Sequence, residues 1–293
     1  MKKFIFSIIL ILLPSYVLGN SISWANLPAI DKFRSTAGER LFFYYQKLQR
    51  GYFYIDNDFR FYNSNSWWDE SGKKFNFGKY TRFINVISIK YSPINKTQFS
   101  VRIPYVYLNN WLSSSNSGIS DIFLGVSYEV LQFLNNKIYL SSGVKIPTGY
   151  RKYDERKLLL GTGSFDIPFI VNSDFNIKND LIFFDVGYIF IGDSKKLSGL
   201  KRNNGDEIFG DVAIMKELEW AAVKFEMNYF YVFDSSISGE RRNDSHSKFS
   251  ITPGLIFSPK FNNIKLELGF SYDLAGKNNF SGYSPVIRIH FNN

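Results

Sequence analysis

Apolar and polar residues alternate along much of this chain, most clearly in the segment from Gly118 to Val171. Between Asp121 and Val130 every even position is apolar, whereas the odd positions are mostly polar or small. A β-strand with one apolar and one polar face has this period of two. The segment therefore predicts a strand, a short turn, a second strand, a long charged loop at Thr148–Gly163 and a third strand.

The same unit repeats from Glu39 to Phe291 and predicts twelve strands. The predicted connections alternate between short turns, such as Ser92–Lys96, and longer loops. The longer loops are Trp67–Gly78, Asn109–Ser117, Thr148–Gly163, Ile191–Asp206, Asp234–Ser247 and Leu274–Tyr283. A soluble β-sandwich also has period-two strands, but this rhythm of connection lengths is typical of bacterial outer-membrane barrels. We therefore predict an all-β fold, a single antiparallel transmembrane β-barrel of about 12 strands with short periplasmic turns and long extracellular loops.

The N-terminus predicts export. Lys2 and Lys3 precede an apolar run from Phe4 to Leu13, which has the positive head and the length of a secretory signal peptide. A helix that spans a membrane needs roughly 20 apolar residues, more than this run supplies. We expect a signal peptide at residues 1–19, a periplasmic arm or a plug at residues 20–38 and the barrel at residues 39–293. The predicted location is the outer membrane.

The composition fits a membrane protein of the cell surface. Aromatic residues make up 18% of the chain, as expected for girdles at the membrane interfaces. The absence of cysteine excludes disulfides, thiol chemistry and a lipoprotein anchor. For an exported barrel, the net charge of +9 at pH 7 suits anionic lipid better than nucleic acid. We expect outer-membrane lipid, lipopolysaccharide and a small-molecule solute as partners, and no nucleic acid. The sequence makes no prediction of the oligomeric state. The basic residues expected to meet lipopolysaccharide phosphates include Arg151, Lys152, Arg156, Lys157, Arg241 and Arg242.

Four segments of the chain resemble one family of proteins. They are Phe99–Tyr107, Gly118–Asp121, Lys145–Gly149 and Gly161–Asp166, which match a strand, a glycine-and-aspartate strand opening, a lysine-x-proline-threonine-glycine strand end and a glycine-rich return. The chain in this respect resembles the bacterial outer-membrane family described as the MetA-pathway of phenol degradation. The resemblance implies a channel that admits hydrophobic compounds, and the family's name does not imply an enzyme.

The residues that could carry catalysis are few. The histidines are His246, in a predicted outer loop, and His290, on the polar parity of the last strand near the periplasmic rim. An outer-membrane phospholipase would need a histidine and a serine with an orienting partner, and no serine motif accompanies His290. The glycine-rich Gly161–Gly163 precedes a strand rather than a helix, which excludes a dinucleotide fingerprint. We therefore predict no enzyme, no cofactor and no metal site.

In each predicted strand, the alternate positions that are polar are expected to face the lumen, because charged side chains are costly in hydrocarbon. The charged residues at these positions are Arg82, Lys90, Arg102, Asp121, Glu129, Lys145, Asp166, Asp185, Asp211, Lys224, Glu226, Glu267 and Arg288. Two interpretations are open: these groups form salt bridges that fill the lumen, or some of them line a solute path. Twelve strands enclose a lumen narrower than that of the sixteen-stranded porins. We predict a channel that passively admits small, hydrophobic or weakly polar solutes; the alternative is a non-transporting barrel that serves structure or surface adhesion.

Three prolines lie within or at the ends of alternating runs, near the outer ends of the predicted strands. They are Pro104, Pro147 and Pro168. Proline has no N–H to donate to a β-ladder, so it marks bent or interrupted pairing. The prolines therefore either bend strands near the rim or open a lateral gap through which an apolar solute would leave.

Overall fold

The computed structural model describes residues 50–110, 115–133, 136–149, 160–177, 180–195, 201–218, 221–257 and 264–292. The predicted signal peptide, the predicted arm or plug, the predicted start of the first strand at Glu39 and the basic segment 151–157 lie outside these ranges. Regular structure within them is entirely β-strand. No helix in the described part of the chain is long and apolar enough to cross a membrane.

The strands fall into a wall and a set of short segments in the outer connections. In chain order they are β1 (Phe53–Trp68), β2 (Lys74–Ile94), β3 (Thr97–Asn109), β4 (Ser115–Ile119), β5 (Ile122–Phe133), β6 (Asn136–Ile146), β7 (Asp166–Ile177), β8 (Asp180–Ile191), β9 (Ser194–Lys195), β10 (Lys201–Asn203), β11 (Glu207–Glu217), β12 (Ala221–Val232), β13 (Ser236–Ile237), β14 (Glu240–Arg241), β15 (His246–Phe257), β16 (Ile264–Lys277) and β17 (Asn279–Asn292). Strands β9, β10, β13 and β14 are the short ones, and the others form the wall.

The wall strands close into a single antiparallel barrel. Each pairs with its neighbours along the chain, and β1 closes the sheet by pairing with β17 from Tyr54–Asn292 to Trp68–Asn279. One wall strand consists of two segments, because β4 pairs with the C-terminal part of β3 and β5 pairs with its N-terminal part. The wall therefore has 12 strands, and the predicted all-β barrel is confirmed.

Apolar residues cover the outside of the wall and polar residues its inside. In β7, Ile167 and Phe169 are 44% and 53% exposed, whereas Asp166 and Asn172 are 3% and 4% exposed. A soluble protein would bury the apolar parity, so this inversion fits a wall that faces hydrocarbon. Such a wall depends on its ladder, because a bilayer offers no water to backbone groups that leave it.

A second, small sheet joins two of the outer connections. Its order is β14-β13-β10-β9, so it ties the β8–β11 loop to the β12–β15 loop. Asp234 fixes the base of the β13–β14 hairpin by accepting hydrogen bonds from the Ser245 N–H and from Arg241 Nε, both at 2.7 Å. Burial alone would raise the pKa of Asp234, but these donors outweigh it and lower that pKa. The stabilisation is present above the ordinary pKa of 3.8 and is lost as the pH falls through the lowered value.

The predicted loop at Leu274–Tyr283 is wrong. Strand β16 continues to Lys277 and β17 begins at Asn279, so the turn between them is Asn278 at a φ of 48°. The glycine, lysine and asparagine residues of this segment resemble a loop in sequence. They form a tight hairpin because asparagine tolerates the left-handed backbone conformation that the turn requires.

The predicted loop at Trp67–Gly78 is longer than the connection in the structure, which spans Asp69–Lys73. The Asp69 carboxylate accepts hydrogen bonds from the Ser71 and Lys73 N–H groups, both at 2.9 Å. These bonds close the turn within five residues and allow both tryptophans of β1 to remain in the strand.

The prediction that His246 lies in an outer loop is also wrong. Strand β15 begins at this residue, and the side chain is 4% exposed. Its ring packs edge-on against Phe230, with the ring centroids 6.1 Å apart. The inward parity of β15 thus starts at His246 and continues through Lys248 and Ser250.

Candidate functional site

The inner face of the barrel is the candidate site, and its largest polar feature is an ionic cluster. Ionisable side chains from β1, β2, β12, β16 and β17 form this cluster through ion pairs. Its members are Asp56, Asp58, Arg60, Lys90, Lys224, Glu226, Glu267, Arg288 and His290.

Arg288 is at the centre of the ionic cluster. Its Nε lies 3.0 Å from Asp58 Oδ2, and its guanidinium NH1 lies 2.8 Å from Glu267 Oε1 and 3.6 Å from Glu226 Oε2. Lys224 Nζ lies 2.9 Å from Glu226 Oε2 and also contacts Glu267. Because each acid meets more than one base, the charges form one network rather than separate pairs.

The reach of Lys224 across β15 depends on a missing side chain. Lys224 pairs in register with Gly254 of β15, and Gly254 pairs with Gly269 of β16. Neither glycine places a side chain on the inner face, so the lysine can extend over β15 to Glu267 on β16. The ionic cluster therefore connects strands that are not neighbours in the sheet.

Burial makes the ionic cluster costly to disturb. Lys224, Glu226, Glu267 and Arg288 are 1%, 0%, 1% and 2% exposed. A buried charge is tolerated when it is paired, and removing one partner leaves the other charge uncompensated. The four acids of the cluster face the four bases Arg60, Lys90, Lys224 and Arg288, with His290 beside Asp56 at 2.8 Å. This part of the lumen is thus filled by ion pairs.

Most of the lumen residues named from the sequence are buried on the inner face. The buried ones are Lys90, Arg102, Asp121, Glu129, Asp166, Asp185, Asp211, Lys224, Glu226, Glu267 and Arg288, and Arg82 and Lys145 are half-buried. Five belong to the ionic cluster and three meet at a second site around Asp121. Of the others, Glu129 pairs with Lys137 at 3.3 Å, and Asp185 accepts a hydrogen bond from Asn172 Nδ2 at 2.9 Å.

Sequence reasoning missed the residues that β1 contributes to the ionic cluster. They are Asp56, Asp58 and Arg60, with Tyr62 above them on the same face. The signal was present, because Asp56, Asp58 and Arg60 alternate with more apolar positions. It was overlooked because the first strand was predicted to begin at Glu39, which put these residues beyond its membrane-spanning part.

The second site is built around the carboxylate of Asp121, where the wall strand breaks between β4 and β5. Asp121 Oδ1 accepts a hydrogen bond from the Gly149 N–H at 3.0 Å. Its Oδ2 accepts from the Thr162 N–H at 2.7 Å and from Thr162 Oγ1–H at 2.9 Å. Lys145 Nζ lies 3.7 Å from the same oxygen and also contacts Asp166. The carboxylate therefore holds both ends of the β6–β7 connection, and we call this arrangement the Asp121 latch.

Two glycines of the Asp121 latch approach each other too closely for side chains. A Cβ at Gly161 would lie 2.3 Å from Asp121 Oδ1 and 2.9 Å from the Gly149 Cα. A Cβ at Gly149 would lie 2.7 Å from the Gly161 Cα. The glycines of the Lys145–Gly149 and Gly161–Asp166 segments are thus required by packing.

Thr148 repairs the ladder at the break. Its Oγ1 accepts a hydrogen bond from the Ile122 N–H at 3.1 Å and donates to the Ser120 carbonyl at 2.8 Å. On the other side, the Ser120 N–H donates to the Pro104 carbonyl at 2.8 Å. The broken strand therefore keeps its backbone groups hydrogen-bonded, as a bilayer requires.

Aromatic clusters line the inner face near the ends of the strands that carry the longer connections. One cluster contains Tyr62, Trp67, Tyr80, Leu108, Leu160 and Phe280, and the other contains Phe123, Ile170, Phe209, Phe230 and Val232. In the first cluster the Phe280 ring stacks on Tyr80 at 4.7 Å, and Trp67 meets it edge-on at 4.9 Å. Lys248 Nζ lies 4.9 Å from the Tyr62 ring and 5.9 Å from the Phe230 ring, between the clusters. The inner face thus changes from aromatic at this end to charged farther down.

The histidine on the inner face of the last strand lies between two carboxylates. His290 is the histidine that a hydrolase would use, and its Nδ1 contacts Asp56 Oδ1. Its Nε2 lies 3.7 Å from Glu267 Oε2, a second carboxylate rather than a nucleophile. Among the described residues, no group of three or more His, Cys, Asp and Glu side chains could hold a metal ion.

A closed 12-strand barrel with an apolar outside and a charged and aromatic inside defines a transmembrane β-barrel of the outer-membrane type. The chain belongs to the family "Putative MetA-pathway of phenol degradation", whose model matches residues 64–289. The resemblance seen in the sequence is therefore confirmed. No curated protein matches the chain.

Several solved structures are similar to this chain. The crystal structure of the COG4313 outer membrane channel from Pseudomonas putida F1 is 14% identical, with a TM-score of 0.76 over 85% of this chain and 98% of that chain. The NanC porin is 10% identical, with a TM-score of 0.48 over 82% and 98% of the two chains. The CymD monoaromatic hydrocarbon channel is 8% identical, with a TM-score of 0.42 over 83% and 88%. At these identities, the first of these likenesses establishes a common barrel fold.

We predict that Gly161→Ala destabilises the barrel, because the new Cβ would collide with the Asp121 carboxylate. Overpacking of this kind typically costs about 1–3 kcal/mol of the free energy of unfolding. Gly210→Ala is the matched control, since a Cβ there would meet its nearest atom at 3.9 Å. Urea unfolding of the refolded barrels, followed by tryptophan fluorescence, measures the difference. Equal unfolding midpoints for the two variants would show that the Asp121 latch does not constrain the wall.

Proposed function

We propose that the protein is an outer-membrane channel, not an enzyme, that passively admits small, hydrophobic or weakly polar solutes. The observation that carries the proposal is the aromatic lining of the inner face. An aqueous pore for ions would place polar groups there, whereas Phe209, Phe230 and Phe280 pack into the apolar clusters of that face, where they are 9%, 3% and 1% exposed. The family match and the fold shared with a protein described as an outer membrane channel support the same conclusion.

The proposed path begins at the aromatic clusters. A solute that arrives from the cell exterior meets apolar rings before it meets charges, so burial of its own apolar surface favours entry. The ionic cluster then opposes straight passage, because an apolar solute can replace none of its ion pairs. We therefore propose that the solute leaves sideways, through the wall.

The prolines named from the sequence lie at interruptions of one part of the wall. Pro104 faces the break between β4 and β5, and Pro147 follows the last residue of β6. Between β6 and β7 the register passes from Ser142–Phe169 to Lys145–Asp166 without the pairs Gly143–Pro168 and Val144–Ile167. The Pro168 carbonyl instead accepts a hydrogen bond from Ser142 Oγ at 2.8 Å. These weakened contacts between β3 and β7 support a lateral gap there.

The β13–β14 hairpin is the proposed contact with lipopolysaccharide. Arg241 and Arg242 are adjacent and exposed, and the Arg241 side chain remains 74% exposed although it pairs with Asp234. Arginine binds phosphate well through its planar donors. The outer-membrane lipid around the barrel would supply those phosphates.

The aromatic lining can be tested with Phe230→Ser. Loss of about 1 kcal/mol of apolar contact changes binding roughly fivefold, so uptake of an apolar aromatic probe at low concentration is expected to fall by about that factor. Phe225→Ser is the matched control, because Phe225 lies on the same strand but is 40% exposed on the lipid face. Uptake by cells with equal amounts of folded barrel measures the effect. Equal uptake by both variants and by the parent would exclude a path along the aromatic clusters and favour a non-transporting barrel.

A lateral exit can be tested with Pro104→Val, which restores the missing N–H. We expect a narrower gap and slower uptake of the apolar probe, with folding intact. Pro253→Val, on β15 across the barrel, makes the same change where no exit is proposed. If Pro104→Val transports at the parental rate, solutes do not leave at this break.

Lipopolysaccharide binding can be tested with Arg241→Ala and Arg242→Ala together. We expect less lipopolysaccharide to co-purify with this variant, because both exposed guanidinium groups are lost. Lys216→Ala is the control, since Lys216 is exposed near the opposite end of the wall. Endotoxin content per mole of barrel is the measurement, and identical values in the two variants would contradict the proposed contact.

A further inference from the structure

Two asparagines interrupt the lipid-facing surface of the barrel. Asn57 of β1 lies between Ile55 and Phe59 on the outward parity, and Asn85 of β2 lies between Phe83 and Ile87. The adjoining outward residues on the next strands are also apolar or aromatic. They are Ile287 and Ile289 of β17 and Ile103 and Tyr105 of β3. The asparagines therefore face hydrocarbon in the interior of the apolar belt, away from both rims.

The two amides satisfy each other only in part. Asn85 Nδ2 donates a hydrogen bond to Asn57 Oδ1. The Asn57 NH₂ group and the Asn85 carbonyl oxygen then have no partner among the described residues. Within the described residues neither group bonds to the backbone, and the β1–β2 ladder is continuous from Phe53–Tyr91 to Ser64–Tyr80. If the oxygen and nitrogen positions of both amides are exchanged, the hydrogen bond between them runs in the opposite direction. One NH₂ group and one carbonyl oxygen again remain without a partner among the described residues.

Other polar side chains in the described belt are satisfied locally. Ser142 Oγ donates to the Pro168 carbonyl at 2.8 Å, and Ser173 Oγ donates to the Phe184 carbonyl at 3.2 Å. The amide pair differs because its remaining donor and acceptor point into a medium without hydrogen-bonding groups. An unpaired amide in such a medium costs free energy, and a partner that supplies the missing bonds removes that cost.

We propose that the protein associates in the membrane plane with a second copy of itself through Asn57 and Asn85. The unused groups are complementary under a two-fold axis: the Asn57 NH₂ of each copy donates to the Asn85 oxygen of the other. A two-fold interface is formed by the same patch on both subunits, and polar side chains join membrane-spanning elements in this way. Lipid acyl chains offer no such groups, and a different protein would need its own donor and acceptor at the same depth.

Cysteine cross-linking tests the proposal, because the chain contains no cysteine of its own. Ile87→Cys places a thiol on β2 opposite Asn57 in register. Ile214→Cys is the control, at a residue of β11 that is 45% exposed to lipid on another part of the wall. Treating native outer membranes with a short bifunctional maleimide is expected to give a dimer with Ile87→Cys and none with Ile214→Cys.

The amides are then removed in the Ile87→Cys background. With Asn57→Leu and Asn85→Leu we expect the association constant to fall at least about tenfold, which corresponds to ~1.4 kcal/mol. With Asn57→Gln and Asn85→Gln, which keep both amides, the dimer is expected to persist. Heat-modifiable migration in SDS gels confirms that each variant is folded.

Three results would overturn the proposal. Equal dimer yields from the two cysteine positions would indicate random collision. An undiminished dimer in the folded leucine variant would show that the amides do not hold the interface. A cross-linked product with a mass other than twice that of the barrel would identify a different partner.

Discussion

The closed backbone ladder is the constraint on which the rest of this structure depends. A bilayer offers no water, so each wall strand must find its hydrogen bonds in its neighbours, and the β1–β17 pairing removes the last free edges. Where the ladder fails, side chains replace it. Thr148 bonds the backbone on both sides of the break at Ser120–Asp121, and Ser142 bonds the carbonyl of Pro168. The Lys145–Gly149 and Gly161–Asp166 segments, which resemble the family, contribute to these replacement contacts, because Gly149 and Gly161 allow the ends of the β6–β7 connection to approach Asp121.

Because the backbone ladder holds the wall strands together, the interior of the barrel does not need an apolar core. The inner face instead carries two kinds of surface. Ion pairs join β1, β2, β12, β16 and β17 and bury their charges almost completely. Aromatic side chains occupy the end nearer the longer connections. The first surface fits the interpretation that charges fill the lumen. The second is where we propose that an apolar solute gains contact.

The period-two pattern was enough to predict the barrel, because exposure to lipid imposes the same alternation on every strand. Turn chemistry was harder to predict. Asn278 closes a hairpin alone through its left-handed conformation, and no composition rule separates that turn from a loop. The Asp121 latch could not be derived from periodicity, since Gly149 and Thr162 lie 28 and 41 residues from the carboxylate they contact. The contribution of Asp56, Asp58 and Arg60 was missed because the first strand was predicted to begin at Glu39, which put these residues beyond its membrane-spanning part.

The contacts that hold neighbouring strands together are distributed unevenly around the wall. On the side formed by β12, β15, β16, β17 and β1, the ionic cluster spans several strands at once, so no single ladder contact limits the strength of the wall. On the side formed by β3 to β7, the break at Ser120–Asp121 and the missing β6–β7 pairing of Gly143 with Pro168 are bridged by the Asp121 latch and by single hydrogen bonds. Separating strands costs least where the fewest bonds must break together. The β15–β16 and β1–β17 registers also have gaps, at Pro253 and at Pro285, but there the ionic cluster bridges the neighbouring strands. We therefore propose that any opening of this barrel toward the membrane lies between β3 and β7.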